Sequence, residues 1–348
     1  MRGLKRSRLV EILGSFKGLR SMVIGDFALD VYWYADMTRS ELSRETPHYT
    51  RPVVRETYSP GASGNICCNV KTLGLKDVFA VTVIGDDWRG EILGEKLRKN
   101  GISLDFLITS RERVTPTYIK PILCGWDSQQ EDSRLDFVNY SPLTSGLEEE
   151  IIENVKEAVE KVDLVIVEDQ MTLNGVVTEN VRSSLVQLAE ENPSKVFIVD
   201  SRERIGLFRN MVLKPNRMEA VKAVQPSRNP LEVGLDELLE IGRELQEKAK
   251  RPVYITLSER GSLVITGSGC HHVPAAPTQP PIDPVGAGDT FISTVGAGLA
   301  GGANPVEAGI VASLAAAVIL KKLNTTGTAS PAEILSKFDE VSNGDEWP

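Results

Sequence analysis

The chain has 348 residues, 41% of them hydrophobic and 25% charged, with a formal net charge of −9. That length holds one large α/β domain or two medium ones, and the acidic balance lacks the basic footprint that nucleic-acid binding requires. The four cysteines, Cys67, Cys68, Cys124 and Cys270, form no C-x-x-C pair, which argues against a disulfide framework and for a reduced, cytoplasmic setting.

The N-terminal stretch "MRGLKRSRLVEILGSFKGLR" is basic but has no long apolar core, so it does not read as a signal peptide. Its spacing predicts a short amphipathic helix with Leu9, Val10, Ile12, Leu13 and Phe16 on one face. "SMVIGDFALD" (21–30) opens as a buried strand ending at Gly25, and "DVFAVTVIGDD" (77–87) is a second, followed by a helix through "WRGEILGEKLRKNG". Further strands are expected at 162–169, 195–201, 211–216 and 251–261, with helices at 64–74, 147–160, 177–191 and 236–250. Apolar strands alternating with amphipathic helices predict a mainly parallel sheet covered on both faces. In such sheets ligands bind beyond the carboxyl ends of the strands. Asp26, Asp30, Asp86, Asp87, Glu168, Asp169, Asp200 and Asn216 mostly follow strands, at that edge. The apolar run "GIVASLAAAVIL" near the C-terminus is too short to span a bilayer, so no membrane partner is expected.

Two stretches depart from the alternation. Residues 31–59 and 114–139 are rich in Thr, Tyr, Val and Arg and read as short extended strands. They predict a small β-layer inserted into a single domain spanning 1–348, placed to cover the carboxyl edge as a lid.

"DPVGAGDTF" (283–291) is the motif with the clearest chemistry. Small residues allow the backbone a close approach, and a helix N-terminus presents unpaired N–H groups. Gly286, Ala287 and Gly288 therefore suit an anion hole. Asp289 beside them can accept the proton of a hydroxyl attacking a phosphate. The same five residues fit equally a tight turn with Asp289 as helix N-cap. No Lys-Ser/Thr follows, so this is not a Walker loop. "GAGLAG" (296–301) matches G-x-G-x-x-G but follows a helical pattern, which argues against a dinucleotide site. Consecutive Cys270, His271 and His272 would converge poorly on a metal.

Taken in order, further stretches resemble the ribokinase-like (PfkB) carbohydrate kinases. "DPVGAGDTF" is similar to the family's C-terminal signature, "GDFALD" (25–30) to its first strand and sugar-binding aspartate, and "YSPGASGNICCNVKTLG" (58–74) to its N-terminal signature. "KPNRME" (214–219) carries an N-x-x-E motif, "TLSERGS" (256–262) resembles the turn near the nucleotide, and "AAAVILKKLNTTGTASPAEI" (315–334) the loop beside the adenine. Within the family, "LDVYWYAD", "PTYIK", "SRLDF" and "KKLNTTGTASP" look most like the heptose-phosphate kinases. Departures are Ala62 in place of a second glycine, "EDQMTLNG" after the third strand, and Ser313 in place of an asparagine.

The resemblance implies a three-layer α/β sandwich with a β-sheet lid. It also implies an ATP-dependent transfer of a phosphoryl group to a hydroxyl of a sugar or sugar phosphate, with Mg²⁺. Asp289 would be the base and the 286–288 amides the anion hole. Asp30, Gly61, Asn65 and Arg134 would meet the acceptor. Lys214, Asn216, Thr256, Ser258, Gly261, Ser313, Asn324 and Gly327 would lie along the nucleotide. Asn216 and Glu219 would organise Mg²⁺ through water, although Asn followed by Glu three residues later is also a capping box. Asp283 would join a monovalent-cation site suited to K⁺, or simply start a turn before Pro284. Relatives of this fold often pair through the lid, so a homodimer is expected. Two alternatives stay open: a nucleoside kinase of the same fold, and a non-catalytic sugar or nucleotide sensor.

Overall fold

The computed structural model describes residues 3–323, 326–342 and 346–347. Strand β1 (Leu4–Lys5) pairs antiparallel with β16 (Glu346–Trp347). Between them run a large twisted sheet and a smaller one. The large sheet uses β2 (Arg20–Gly25), β5 (Asp77–Gly85), β6 (Ser103–Ser110), β10 (Leu164–Asp169), β11 (Val196–Ser201), β12 (Val212–Leu213), β13 (Val253–Thr256), β14 (Ser262–Thr266) and β15 (Gly269–Val273). Their order is β15-β14-β13-β12-β11-β10-β2-β5-β6. Pairings from β6 to β13 are parallel, and β14 and β15 add antiparallel at one edge.

The parallel strands are apolar along their length, as "LVIVED" in β10 shows, because both faces are covered. On one face lie α1 (Arg6–Ser15), α2 (Ser63–Thr72), α3 (Trp88–Lys99), α8 (Ala287–Ala300), α9 (Pro305–Ile319) and α10 (Pro331–Val341). On the other lie α4 (Ser145–Glu160), α5 (Glu179–Glu191), α6 (Arg217–Val224) and α7 (Leu235–Ala249). Helix α9 is apolar on nearly every side and is buried almost throughout. On α1, Leu9, Ile12 and Leu13 are buried and Phe16 follows them into the core, but Val10 is 45% exposed. Its position corrects the expected face: three inward residues suffice against α10, and Val10 falls on the outer side.

The small sheet has the order β4-β3-β7-β8 from β3 (Phe27–Asp36), β4 (Val53–Ala62), β7 (Thr117–Cys124) and β8 (Gln129–Glu131), with β9 (Leu135–Phe137) also on β7. Strand β3 begins two residues after β2 ends, so the lid springs directly from the central sheet. Its far end is exposed, where Val54 and Trp126 face solvent, and Leu135 on β9 is exposed too. No helix among the described residues is long and apolar enough to cross a membrane.

Candidate active site

The "GAGD" segment forms the start of α8. Gly286 is its N-cap, at φ 81°, a left-handed conformation that glycine adopts without the steric cost other residues carry. Asp289 is thus the third residue of the helix and not its cap. The Ala287 N–H turns back onto the Pro284 carbonyl (3.1 Å). The Gly288 N–H, in the first turn, is one of the donors a helix leaves without an internal partner. A Cβ added to Gly288 would sit 3.9 Å from Lys214 Nζ, so this cation lies beside the start of α8.

Lys214 follows β12 and is 3% exposed. It pairs with Asp200, at the end of β11, at 2.6 Å. Burial opposes its charge, but Asp200 and Glu219 outweigh that and hold its pKa above the usual value. Glu168, at the end of β10, is fully buried; burial and the nearby Asp200 and Asp289 push its carboxyl well above the usual range. Gln170 donates to its Oε1, while Oε2 has no hydrogen-bond partner. Asn216 caps α6: its Oδ1 accepts from Glu219 N (2.9 Å), and its own N–H donates to Glu219 Oε2 (2.7 Å). The capping box is therefore formed. Burial, with Asp200 nearby, still raises Glu219 to about 7.

The base candidate stands between this wall and the lid. Asn65, on α2, donates from Nδ2 to Asp289 Oδ2 at 2.6 Å. Burial raises Asp289 to about 6, against the pull of Asn65 and Lys214, and with added repulsion from Asp200 and Asp30. Asp30 lies on β3, opposite Ser59 of β4 and Tyr118 of β7. It is 8% exposed and desolvation raises its pKa. Gly61 faces it so closely that a Cβ there would lie 2.6 Å from Asp30 Oδ2. Lys120, on β7, reaches Tyr32 OH at 3.2 Å and draws Asp30 back toward its charged form. Arg134 lies over the Tyr118 ring (4.6 Å to its centroid) and pairs with Asp136 at 2.6 Å.

The remaining expected positions are spread over several loops, and the one holding Thr326 and Gly327 lies against the Gly286 turn. Thr256 ends β13 and bridges to Asn216. Ser258 and Gly261 bound a tight turn at φ 53° and 84°. The Ser313 hydroxyl donates to the Pro274 carbonyl and accepts from Ala276 N–H, both at 2.9 Å, so it is committed to holding that loop. Gly327 packs against Lys322; Asn324 lies outside the described residues. Asp283 Oδ1 accepts from Val285 N–H (3.0 Å) while Asp283 N–H donates to the Leu320 carbonyl (2.9 Å).

Among the described residues, no group of three or more His, Cys, Asp or Glu is close enough to hold a metal ion. Mg²⁺ in general keeps most of its waters and takes phosphate oxygens besides one or two carboxylates. The carboxylates beside Lys214 that could hold such a metal are Glu219 and Glu168, whose Oε2 is buried without a hydrogen-bond partner. Of the "GAGLAG" glycines, Gly296 and Gly298 lie inside α8, where side chains would press on Leu164 (2.9 Å) and Ala308 (3.2 Å), and Gly301 is its C-cap, facing Ser15. They are packing glycines. His272 Nε2 is 2.7 Å from the Arg260 carbonyl, a local contact within the sheet edge.

Asp200, Lys120 and Glu168 were not singled out by motif. The signals for Asp200 and Glu168 are a polar residue ending an apolar run, "FIVDS" and "VIVED". Lys120 carries only the alternation of "TYIKP".

The sequence profile of the pfkB family carbohydrate kinases matches residues 20–333. The chain is 31% identical over 334 residues to a protein named bifunctional protein HldE from Citrifermentans bemidjiense, across 94% of this chain. It spans about 64% of the length of the curated relatives it matches. Among solved structures it is similar to ribokinase from Thermotoga maritima (TM-score 0.64, 19% identity, 92% of this chain and 99% of that one). It is also similar to phosphofructokinase-2 from Escherichia coli in complex with potassium (TM-score 0.69, 18% identity, 93% and 99%). Both likenesses concern the fold.

Proposed function

The chain belongs to the pfkB family of carbohydrate kinases, and from that premise we propose that it phosphorylates a hydroxyl of a heptose phosphate, with Asp289 as general base. Family membership makes it a sugar kinase that uses ATP with a divalent metal. The heptose reading is supported by the likeness of "LDVYWYAD", "PTYIK" and "SRLDF" to that branch.

One observation carries the mechanism: the Asp289 carboxylate, held by Asn65 at 2.6 Å, sits at the start of α8 directly after Gly288, beside which Lys214 Nζ lies. A hydroxyl held by Asp30 and a phosphoryl group held at Lys214 and the Gly288 amide would meet at Asp289. Phosphoryl transfer needs positioning and charge neutralisation more than covalent help. Asp289 would take the hydroxyl proton as the oxygen attacks. Lys214 and the amides of residues 286–288 would hold the charge of the phosphoryl oxygens, with the N–H of Gly288 the most available. Mg²⁺, when bound with ATP, would supply further neutralisation, held through water by Asn216, Glu219 and Glu168. Asp283 would serve a monovalent cation such as K⁺. Thr256, Ser258, Gly261, Ser313, Asn324 and Gly327 would border the nucleotide. Exposed Val53, Val54, Leu135 and Phe137 on the lid support pairing of two lids in a homodimer. A monomer by sedimentation at micromolar concentration would refute that pairing.

The deciding experiment is ADP release from Mg-ATP with heptose phosphates, hexoses, pentoses and nucleosides, for the wild type and Asp289→Asn. Turnover with a heptose phosphate that falls at least about 10²-fold in the variant, with ATP binding retained, is expected. Undiminished turnover in Asp289→Asn would refute the base. Turnover only with a nucleoside or another sugar would refute the acceptor.

A further inference from the structure

Asn65 does not stand alone behind Asp289. Asn69 is one helical turn further along α2, on the same face. Thr290 is the residue after Asp289 on α8. Asn65, Asn69 and Thr290 are each at most 2% exposed. The Thr290 hydroxyl donates to Asn69 Oδ1 (2.7 Å). Asn69 Nδ2 donates to the Asn65 carbonyl (2.9 Å) and lies 3.3 Å from Asn65 Oδ1. Asn65 Nδ2 then donates to Asp289 Oδ2 (2.6 Å). The chain of bonds begins and ends on neighbouring residues of one helix, with α2 between.

Buried polar side chains are stable only when each finds a partner, and here the partners leave one arrangement. The Asn65 backbone carbonyl only accepts, so it fixes the Asn69 amide with its NH₂ toward Asn65. That NH₂ in turn requires the oxygen of the Asn65 side chain. The Asn65 NH₂ is thereby forced toward Asp289, and Thr290 closes the remaining Asn69 oxygen.

We propose that Asn69 and Thr290 are positioning residues, which lock the Asn65 amide so that it presents its NH₂, and never its oxygen, to the Asp289 carboxylate. Asn65 then serves the base rather than only the acceptor. The lock resists the other charges that face Asp289, namely Asp30 from β3, Glu168 from β10 and Asp200 from β11, and works alongside Lys214. This inference rests on Asp289 being the base only for its kinetic consequence; the lock itself is a property of the fold.

Asn69→Leu keeps the bulk and removes the lock; Thr290→Val removes its last link; Thr290→Ser keeps the hydroxyl. Two readouts are taken on each folded variant: titration of the Asp289 carboxyl by carbon NMR, assigned by its loss in Asp289→Asn, and the acid limb of kcat against pH. A charge-assisted hydrogen bond favours the ionised form, so its loss raises the Asp289 pKa. The expected rise is about one unit in Asn69→Leu, a smaller rise in Thr290→Val, and none in Thr290→Ser. KM for ATP stays unchanged. An Asp289 titration that does not move in folded Asn69→Leu overturns the inference. A titration that moves while the kinetic limb stays put upholds the lock and overturns Asp289 as the base.

Discussion

The two sides of the cleft are built differently. On the sheet side, Lys214, Asp200 and Glu168 are nearly or wholly buried, and Lys214 pairs with Asp200. On the lid side, Arg134 pairs with Asp136 and Arg51 with Asp132 in ion pairs that water reaches. Buried charges depend strongly on their partners, whereas exposed pairs contribute little. The side assigned to phosphate chemistry is thus fixed by the core, while the side assigned to the acceptor is free to vary with few consequences for folding. Asp30 is the exception on the lid: it is buried because Gly61 lets β4 close against it.

The largest expected effect breaks the buried side. Lys214→Met leaves Asp200 and Glu168 facing each other without their cation. It should cost about 3 kcal/mol in urea unfolding and abolish measurable turnover. A loss of less than about 1 kcal/mol would show that Asp200 and Glu168 do not depend on Lys214 for their place in the fold.

The acceptor side is tested by Gly61→Ala, whose Cβ would meet Asp30 Oδ2 at 2.6 Å. The acceptor KM should rise about tenfold or more, corresponding to roughly 1.4 kcal/mol, with the KM for ATP unchanged. Equal changes in both constants would show that the two sides are not separable.

A pH series sharpens the contrast. Asp289 must be ionised to accept a proton, and burial raises it to about 6. Turnover should therefore fall as pH drops below about 6. Stability should respond in the opposite sense. Burial also raises Asp26 to about 6, and unfolded carboxyls titrate near about 4. The folded chain binds these two protons more tightly than the unfolded one, so their contribution to stability is full below about 4 and is lost as pH rises through about 6. Thermal melts and kcat across this window should show the opposition; parallel trends would contradict it.

The smallest effect concerns Ala62, which sits at φ 48° at the junction of β4 and α2. A side chain is strained there, and the resemblance places a glycine at this position. Ala62→Gly should raise stability by about 1 kcal/mol, read from chemical denaturation, despite the added freedom of the unfolded chain. A destabilised variant would show that the neighbouring packing depends on the methyl group.

Much of the frame was legible in the residues. Long apolar strands and amphipathic helices have distinct periods, so β2, β5, β10 and β11 and helices α3 to α5 fall close to where spacing places them. The strand expected over 251–261 ends at Thr256 in a turn, and the hairpin of β14 and β15 after it was not read, because short runs with local turns carry little periodic signal. "GAGD" and N-x-x-E stood out as motifs, but each also has a purely structural use, as a helix start and as a capping box, and both of those are formed.

By itself, then, the sequence determined the layered α/β class and the identity of the groups at strand ends and helix starts, since those follow from local period and turn chemistry. Tertiary structure alone decided which of them share one space. Asn65, Asp200, Lys214 and Asp289 come from four separate elements, and only the order of strands in the sheet and the packing of α2 on α8 bring them together. The protonation of Asp289 was likewise beyond the sequence, because it depends on how much water the assembled walls exclude.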